Sequence, residues 1–526
     1  MMMARKLPHP GSLVAFAIVA LVVGGFLALA TVGGEKPTLL SIGPYLWRIL
    51  AFSIIQAALS TILSLVLGTA LALALARRRF PARDMILALL GTTMVIPTIV
   101  AVFAVFAVYG RSGWMADMVS LLGWKDSFSI FGYPGILIAH IFLNAPFVAR
   151  ILLDPLNFVP AEHWRLASAF GFTPAQIFRH LDWPVLHAEL PGLAGLVFLL
   201  CFKSFAIVLA LGGGPSRSTL EVAIYEALKI DLDFGRAAWL SLIQLVICLT
   251  LTGLLTWALK RPPTSHTVRG LIRRPDARDG RLIILDTVVL VAGTLFIAPL
   301  ALSLLSGLSH IANVIDADFL QAFITSIVIA VVAAAIACIL ALALASAARR
   351  WRIVLRSPRI AAFYDFLPNT LLAVPPFALT AGLFLMARRL ADPSSIGIVL
   401  LPLMNGLAAI PFAYRSLAPR LLTTEERYGR VAASLGITGL KKLTIMDWPL
   451  LKRPFGAAFA LAMALSFGDF GIIALFGGQE LITLPYLLFE NLGAYRLDEA
   501  SAIGLFIVLV AFLLAYVSGR LSHAGD

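Results

Sequence analysis

About twelve apolar runs, each near the ~20 residues that carry a helix across a bilayer, set the terms on which this chain can fold. They lie at roughly 12–31, 48–76, 85–109, 134–153, 188–211, 237–258, 282–306, 319–347, 361–386, 396–417, 454–477 and 497–517. Hydrocarbon gives a backbone no hydrogen-bond partner, so such runs must pair their own N–H and C=O groups as helices. Composition agrees: 60% of residues are hydrophobic and 13% charged, about half the ~25% charge of a soluble domain. The expected fold is all-α, a polytopic membrane protein of about twelve transmembrane helices. The first run follows Arg5 and Lys6 and ends in Ala28-Leu29-Ala30, a tripeptide of signal-peptidase type. It is too long for a signal core, and it is expected to remain as the first span.

The net charge of +13 orients the chain and does not point to nucleic acid. Roughly 30 of the 41 Lys and Arg residues fall in alternate loops, the positive-inside pattern. Arg77-Arg78-Arg79, Lys260 to Arg281, Arg349 to Arg359, the 415–453 region and the N-terminus form that set. The acids Glu221, Asp231, Asp233, Asp392 and Asp498 lie in the opposite set. Both termini and the basic loops are therefore expected in the cytoplasm. Cys201, Cys248 and Cys338 all sit in apolar runs and suggest neither a disulfide framework nor a metal site. There is no Gly-x4-Gly-Lys-Ser/Thr loop, and no histidine has metalloprotease spacing. The chain is expected to bind no cofactor and to carry no catalytic constellation, so any work from ATP must come from a partner.

One polar pattern occurs twice. A glycine is followed at fixed spacing by Asp-Trp-Pro, from Gly171 to Asp182-Trp183-Pro184 and from Gly436 to Asp447-Trp448-Pro449, 265 residues apart (449 − 184). Other positions correspond as well. Ser53 answers Thr325, and Arg77-Arg78 answers Arg349-Arg350; Pro97 answers Pro375, Pro146 answers Pro411, and Gly212-Gly213 answers Gly477-Gly478. Two copies on one side of the membrane require an even number of spans between them. The halves are therefore two parallel six-helix repeats, related by an axis along the membrane normal. The first half is expected at 1–258 with its polar loop at 155–187, a cytoplasmic linker at 259–281, and the second half at 282–526 with its loop at 419–453.

Each loop reads as two short helices about a glycine. Gly171 stops a helix in the left-handed conformation, and Thr173-Pro174-Ala175-Gln176 starts the next with a capping box. In the second loop Thr423-Thr424-Glu425-Glu426 is expected to start a helix, Gly436 to stop it and Thr438 to cap the next.

The pattern resembles the cytoplasmic "EAA" loop of bacterial ABC-importer permeases: Glu-Ala-Ala, three residues, Gly, nine residues, Ile, one residue, Leu-Pro. Gly171, Pro184, Gly436 and Pro449 match its glycine and proline, and Ala167 and Ala432 its second alanine. The chain departs from it with Arg165 and Arg430 at the glutamate, Leu166 and Val431 at the first alanine, and Trp183 and Trp448 at the leucine. The resemblance implies an ABC-importer permease fold, with each loop a coupling helix docked in a groove of the ATPase subunit. Arg165, Ala167, Gly171, Asp182, Trp183 and Pro184, with Arg430, Ala432, Gly436, Asp447, Trp448 and Pro449, are then the coupling residues. The departures put the family's glutamate ion pair aside and leave Glu162, Glu425 and Glu426 as nearby acids to replace it. Tyr109-Gly110-Arg111, Gly113-Trp114, Leu211-Gly212-Gly213-Gly214-Pro215, Ser466-Phe467-Gly468-Asp469-Phe470-Gly471 and Ala474-Leu475-Phe476-Gly477 resemble segments of the thiamine-importer permeases. That likeness implies thiamine or its phosphate esters as cargo, two copies of a cytoplasmic ATP-binding subunit holding ATP and Mg, a periplasmic thiamine-binding protein, and an inner-membrane location. A ferric-iron or polyamine importer is the alternative within the class, and a proton-coupled secondary transporter the alternative outside it.

Two charges fall inside predicted spans, Lys203 in the fifth and Asp469 in the eleventh. Such residues are costly in a membrane and mark pathways or pairs. Either Asp469 attracts a cationic substrate in the pathway, or Asp469 and Lys203 pair across the repeats. Gln56, His140, Asn144, Gln244 and Asn405 also fall in spans, where they are expected to form interhelical hydrogen bonds.

Overall fold

The computed structural model describes residues 9–32, 39–81, 83, 86–87, 90, 96–111, 113–121, 129–214, 217–258, 274–387, 393–478 and 481–523. Most of the predicted linker (259–273), the start of the third predicted span, Asp392 and Pro215 lie outside the described residues. Among the described residues, eleven helices are long and apolar enough to cross a membrane. They become twelve when Pro358–Leu371 and Pro376–Ala387, bent by 94° at a short break, count as one span. Pro375 sits in that break; it has no N–H to donate, and its ring crowds the preceding turn. Its counterpart Pro97 stands directly before the Thr98–Tyr109 helix.

The chain divides into two compact units that do not follow the two halves of the sequence. The larger holds Met1–Ile42, Glu221–Leu249 and Ser309–Asp526; the smaller holds Gly43–Leu220 and Thr250–Leu308. The first span of each repeat thus belongs to the unit built around the other repeat's later spans.

In the larger unit the Ala317–Arg349, Pro393–Ser434 and Trp448–Phe467 helices form the centre. Ala334, Ala337, Ala409 and Ala462 meet there as a buried cluster; small side chains let helix backbones approach in lipid, where the hydrophobic effect offers no drive. The Pro10–Val32 helix packs on Pro376–Ala387. Its contact is close enough that a Cβ on Gly382 would lie 1.9 Å from the Gly25 carbonyl oxygen. In the smaller unit Gly280–Ser303 packs on Thr98–Tyr109, and Tyr133–Asn157 packs on Trp183–Phe202.

The repeats also share a polar device. Ser53 Oγ accepts from Leu220 N–H at 3.0 Å in the smaller unit, and Ser326 Oγ accepts from Leu484 N–H at 2.9 Å in the larger. Each caps a ten-residue helix, Leu220–Lys229 or Leu484–Gly493. The working counterpart of Ser53 is therefore Ser326, one residue beyond the Thr325 paired with it by sequence. The other buried polar residues bond within their units: Gln56 to the Cys201 carbonyl, His140 to Ser60, Asn144 to Cys201 Sγ, Gln244 to Glu221, and Asn405 to Ser466.

Candidate functional site

The two Asp-Trp-Pro hairpins are built alike, one in each unit. In the first, the Ala161–Ala169 helix ends at Gly171, whose φ is +63°. Gly171 N–H donates to Ser168 C=O at 3.2 Å and Phe172 N–H to Ala167 C=O at 2.9 Å. This is the paired closure of a left-handed helix stop. In the second hairpin Gly436 has φ +65°, and the same two bonds run from Gly436 to Ala433 and from Ile437 to Ala432, at 3.2 and 2.8 Å. The capping box forms as expected: Thr173 Oγ1 accepts from Gln176 N–H, and Gln176 Oε1 accepts from Thr173 N–H. The Thr423-to-Glu426 helix start does not occur. Pro393–Ser434 runs through it unbroken, and the Thr423 and Thr424 hydroxyls donate to carbonyls four residues back instead of capping. A membrane span leading straight into the hairpin leaves no free N-terminus there to cap.

One π-helical turn, Phe178–Asp182 or Leu443–Asp447, ends on the aspartate of each tripeptide. A proline stands second after the turn in both, behind the tryptophan, and a widened turn accommodates its missing N–H and its bulk. The turn carries Asp182 and Asp447 inward, at 0% and 1% exposure, while Trp183 and Trp448 stay outward at 45% and 44%. Each buried carboxylate meets an arginine. Arg274 grips Asp182 with two bonds of 3.0 and 2.7 Å, and Arg349 Nη1 donates to Asp447 at 2.8 Å. Burial works against the Arg274 charge, but Asp276 and Asp182 outweigh it and hold its pKa above the usual arginine value.

The outward face is partly apolar. Leu166 and Phe170 in the first hairpin, and Val431 and Leu435 in the second, stand one helical turn apart with exposures of 54%, 74%, 57% and 68%. Each pair gives its hairpin an exposed apolar strip, and Trp183 or Trp448 adds a further exposed ring.

The family model for "binding-protein-dependent transport system inner membrane component" matches residues 64–261. The thiamine transport system permease protein ThiP of Brucella melitensis biotype 1 is 38% identical over 520 residues, 98% of this chain and 95% of that protein. ThiP of Escherichia coli strain K12 is 38% identical over 91% of this chain and 89% of its own. ThiP of Haemophilus influenzae is 34% identical over 98% and 96%. The chain belongs to the thiamine transport permease family. It is thus a multi-pass inner-membrane protein.

Within this permease the twelve hairpin residues sort the same way in both copies. Arg165, Gly171, Trp183 and Pro184, and Arg430, Gly436, Trp448 and Pro449, are exposed; Ala167, Asp182, Ala432 and Asp447 are buried. Of the acids considered as replacements for the family glutamate, Glu162 and Glu426 are exposed. Glu425 is turned inward, bound by Lys442 at 2.6 Å with Arg349 at 3.6 Å. Sequence reasoning missed Arg274, Asp276, Trp164 and Lys442. Only the odd presence of an aspartate in an otherwise apolar tripeptide signals that a cation must lie nearby.

Lys203 and Asp469 lie in different units, each at an interruption of its helix rather than mid-span. Lys203 ends Trp183–Phe202 ahead of the short Ala206–Leu211 helix. Asp469 follows Trp448–Phe467 and Gly468, and its Oδ2 accepts from Ile472 N–H at 3.3 Å. Interrupted helices in transporters bring polar backbone to membrane depth where it lines a cavity.

Proposed function

We propose that this chain is the membrane-spanning subunit of an ATP-driven, binding-protein-dependent importer that carries thiamine or its phosphate esters into the cytoplasm. The observation that carries the reading is 34–38% identity to thiamine transport permeases along nearly the whole chain. The ferric-iron and polyamine readings have no comparable support. ATP and Mg are held by two copies of a separate cytoplasmic subunit, and this chain binds no cofactor of its own. A periplasmic thiamine-binding protein delivers the cargo, and both termini face the cytoplasm.

Coupling follows from the hairpins. Their exposed tryptophans and apolar strips dock on the ATPase pair, and closure of that pair on ATP pushes both hairpins toward the membrane. Asp182 and Asp447 do not touch the partner; they fix the tryptophans beside them. Arg165 and Arg430 stand exposed where the family has glutamate, so shape and apolar contact carry the docking. Asp469 attracts the thiazolium cation from its helix break. Uptake of labelled thiamine into vesicles, with and without the ATPase and the binding protein, tests the reading. Transport by this chain alone on a proton gradient refutes it, and Asp469→Asn with normal uptake refutes the pathway role.

A further inference from the structure

The first hairpin is tied to a segment that sequence reading treats as a mere connector. Arg274 stands inside the predicted linker, just before the Pro275–Arg278 turn. Its Nη1 and Nη2 hold Asp182 at 3.0 and 2.7 Å, and its Nε and Nη2 hold Asp276 at 3.1 and 2.9 Å. Its guanidinium carbon also lies 4.4 Å from the centroid of the Trp164 ring. Trp164 belongs to the helix before the Gly171 turn and Asp182 to the arm after it. One buried guanidinium therefore joins both arms of the hairpin. The three charged side chains are 7%, 0% and 2% exposed, so water does not loosen the contact.

The far side of the clamp is equally firm. The Pro275–Arg278 turn leads at once into Gly280–Ser303, capped by Asp279, whose carboxylate accepts from Arg281 and Leu282 N–H at 3.0 Å. Asp286 on that helix takes both Arg77 and Arg78 at 2.6 Å, and Arg78 Nη1 also donates to the Ala277 carbonyl at 2.6 Å. The Arg77-Arg78 pair, the sequence counterpart of Arg349-Arg350, is thereby committed to Asp286. In the larger unit Arg349 serves Asp447 directly from the end of a membrane helix. The two hairpins are thus anchored to different elements, the second to the second span of its own repeat and the first to the start of the Gly280–Ser303 span.

We infer that Arg274 is a positioning residue for coupling, through which displacement of the first hairpin reaches the Gly280–Ser303 span as well as the Trp183–Phe202 helix. A guanidinium suits the task because its planar fork serves two carboxylates and a ring face together, whereas a lysine ammonium is a point charge. The inference rests on the reading of the hairpin as the ATPase docking site.

The test uses the full chain assembled with its ATPase and binding protein in liposomes, with thiamine imported and ATP hydrolysed measured together. In Arg274→Ala the thiamine imported per ATP falls tenfold or more at equal assembled complex, and in Arg274→Lys it falls less. An unchanged ratio, or uptake and hydrolysis falling in parallel, overturns the inference. Should Arg274→Ala fail to assemble, the Arg274→Lys ratio decides alone, a fall supporting the inference and an unchanged ratio overturning it. Cross-linking of Trp183→Cys to the ATPase separates the two layers. No cross-link refutes the docking reading, whereas a normal cross-link with an unchanged ratio refutes only the role of Arg274.

Discussion

Replacing Gly171 or Gly436 by alanine isolates one physical term. Each has a positive φ, +63° or +65°, and nothing lies within 4 Å of where a Cβ would stand. There is no clash to relieve, so the cost is that of holding an L-residue in the left-handed region, about 1–2 kcal/mol. Alanine also narrows the open state, which offsets about 0.4–1 kcal/mol. The net is about 1 kcal/mol, or roughly fivefold more frequent opening of the turn. The amides to watch are Phe172 and Ile437, whose bonds to Ala167 and Ala432 close the two turns at 2.9 and 2.8 Å. Their hydrogen exchange, followed by mass spectrometry on the protein in lipid nanodiscs, reports local opening free energy. It should quicken about fivefold in each alanine variant and less in the asparagine variants, since asparagine tolerates this conformation. Gly519 in the Leu497–His523 helix is equally open, without a positive φ, and Gly519→Ala should slow local exchange because alanine is the better helix former by about 1 kcal/mol. Unchanged or slower exchange at Phe172 and Ile437 would refute the assignment of these glycines to backbone conformation.

Asp286→Ala leaves the half-buried Arg77 and Arg78 without their shared carboxylate; stranding one side of such a pair costs up to about 3–5 kcal/mol, read as a lower thermal midpoint in detergent with Asp286→Asn affected less. Trp183→Ala and Trp448→Ala each remove an exposed ring, so the thermal midpoint holds while co-purification of the ATPase weakens about fivefold or more per site, the loss of over 1 kcal/mol expected of an interface anchor. Gly382→Ala drives a methyl into the Gly25 backbone and should cost about 1–3 kcal/mol of overpacking, measured as a fall in midpoint; Gly43→Ala, with open space around it, should not.

The membrane architecture was legible because it rests on run length, which bilayer thickness fixes. All twelve predicted runs have a helical counterpart among the described residues, counting the pair bent at Pro375 as one. The glycine stops and the Thr173 capping box were legible for a related reason: they are local and need no tertiary partner. The Thr423-to-Glu426 start failed because the same residues cap only where a helix begins, and a long span enters from upstream. The grouping of the first spans with the opposite repeat was not legible, since a lipid-facing apolar run reads alike whichever neighbour it packs on. Nor was Arg274, whose partner Asp182 lies 92 positions away.

What the two hairpins keep in common is the buried carboxylate and not the cation that answers it. Asp182 and Asp447 occupy one position of the repeat, yet Arg274 and Arg349 come from unrelated positions. A carboxylate taken out of water is costly to leave unpaired, and an arginine that reaches it supplies the partner it needs. The constraint therefore falls on the aspartate, while its partner is free to differ between halves. A difference in partner is also a difference in what moves. A push on the second hairpin is resisted at the end of Ala317–Arg349 and through the Lys442–Glu425 pair on Pro393–Ser434, whereas a push on the first is passed to the turn that starts Gly280–Ser303. On the docking proposed above, equal pushes on the two hairpins would in this way drive unequal motions.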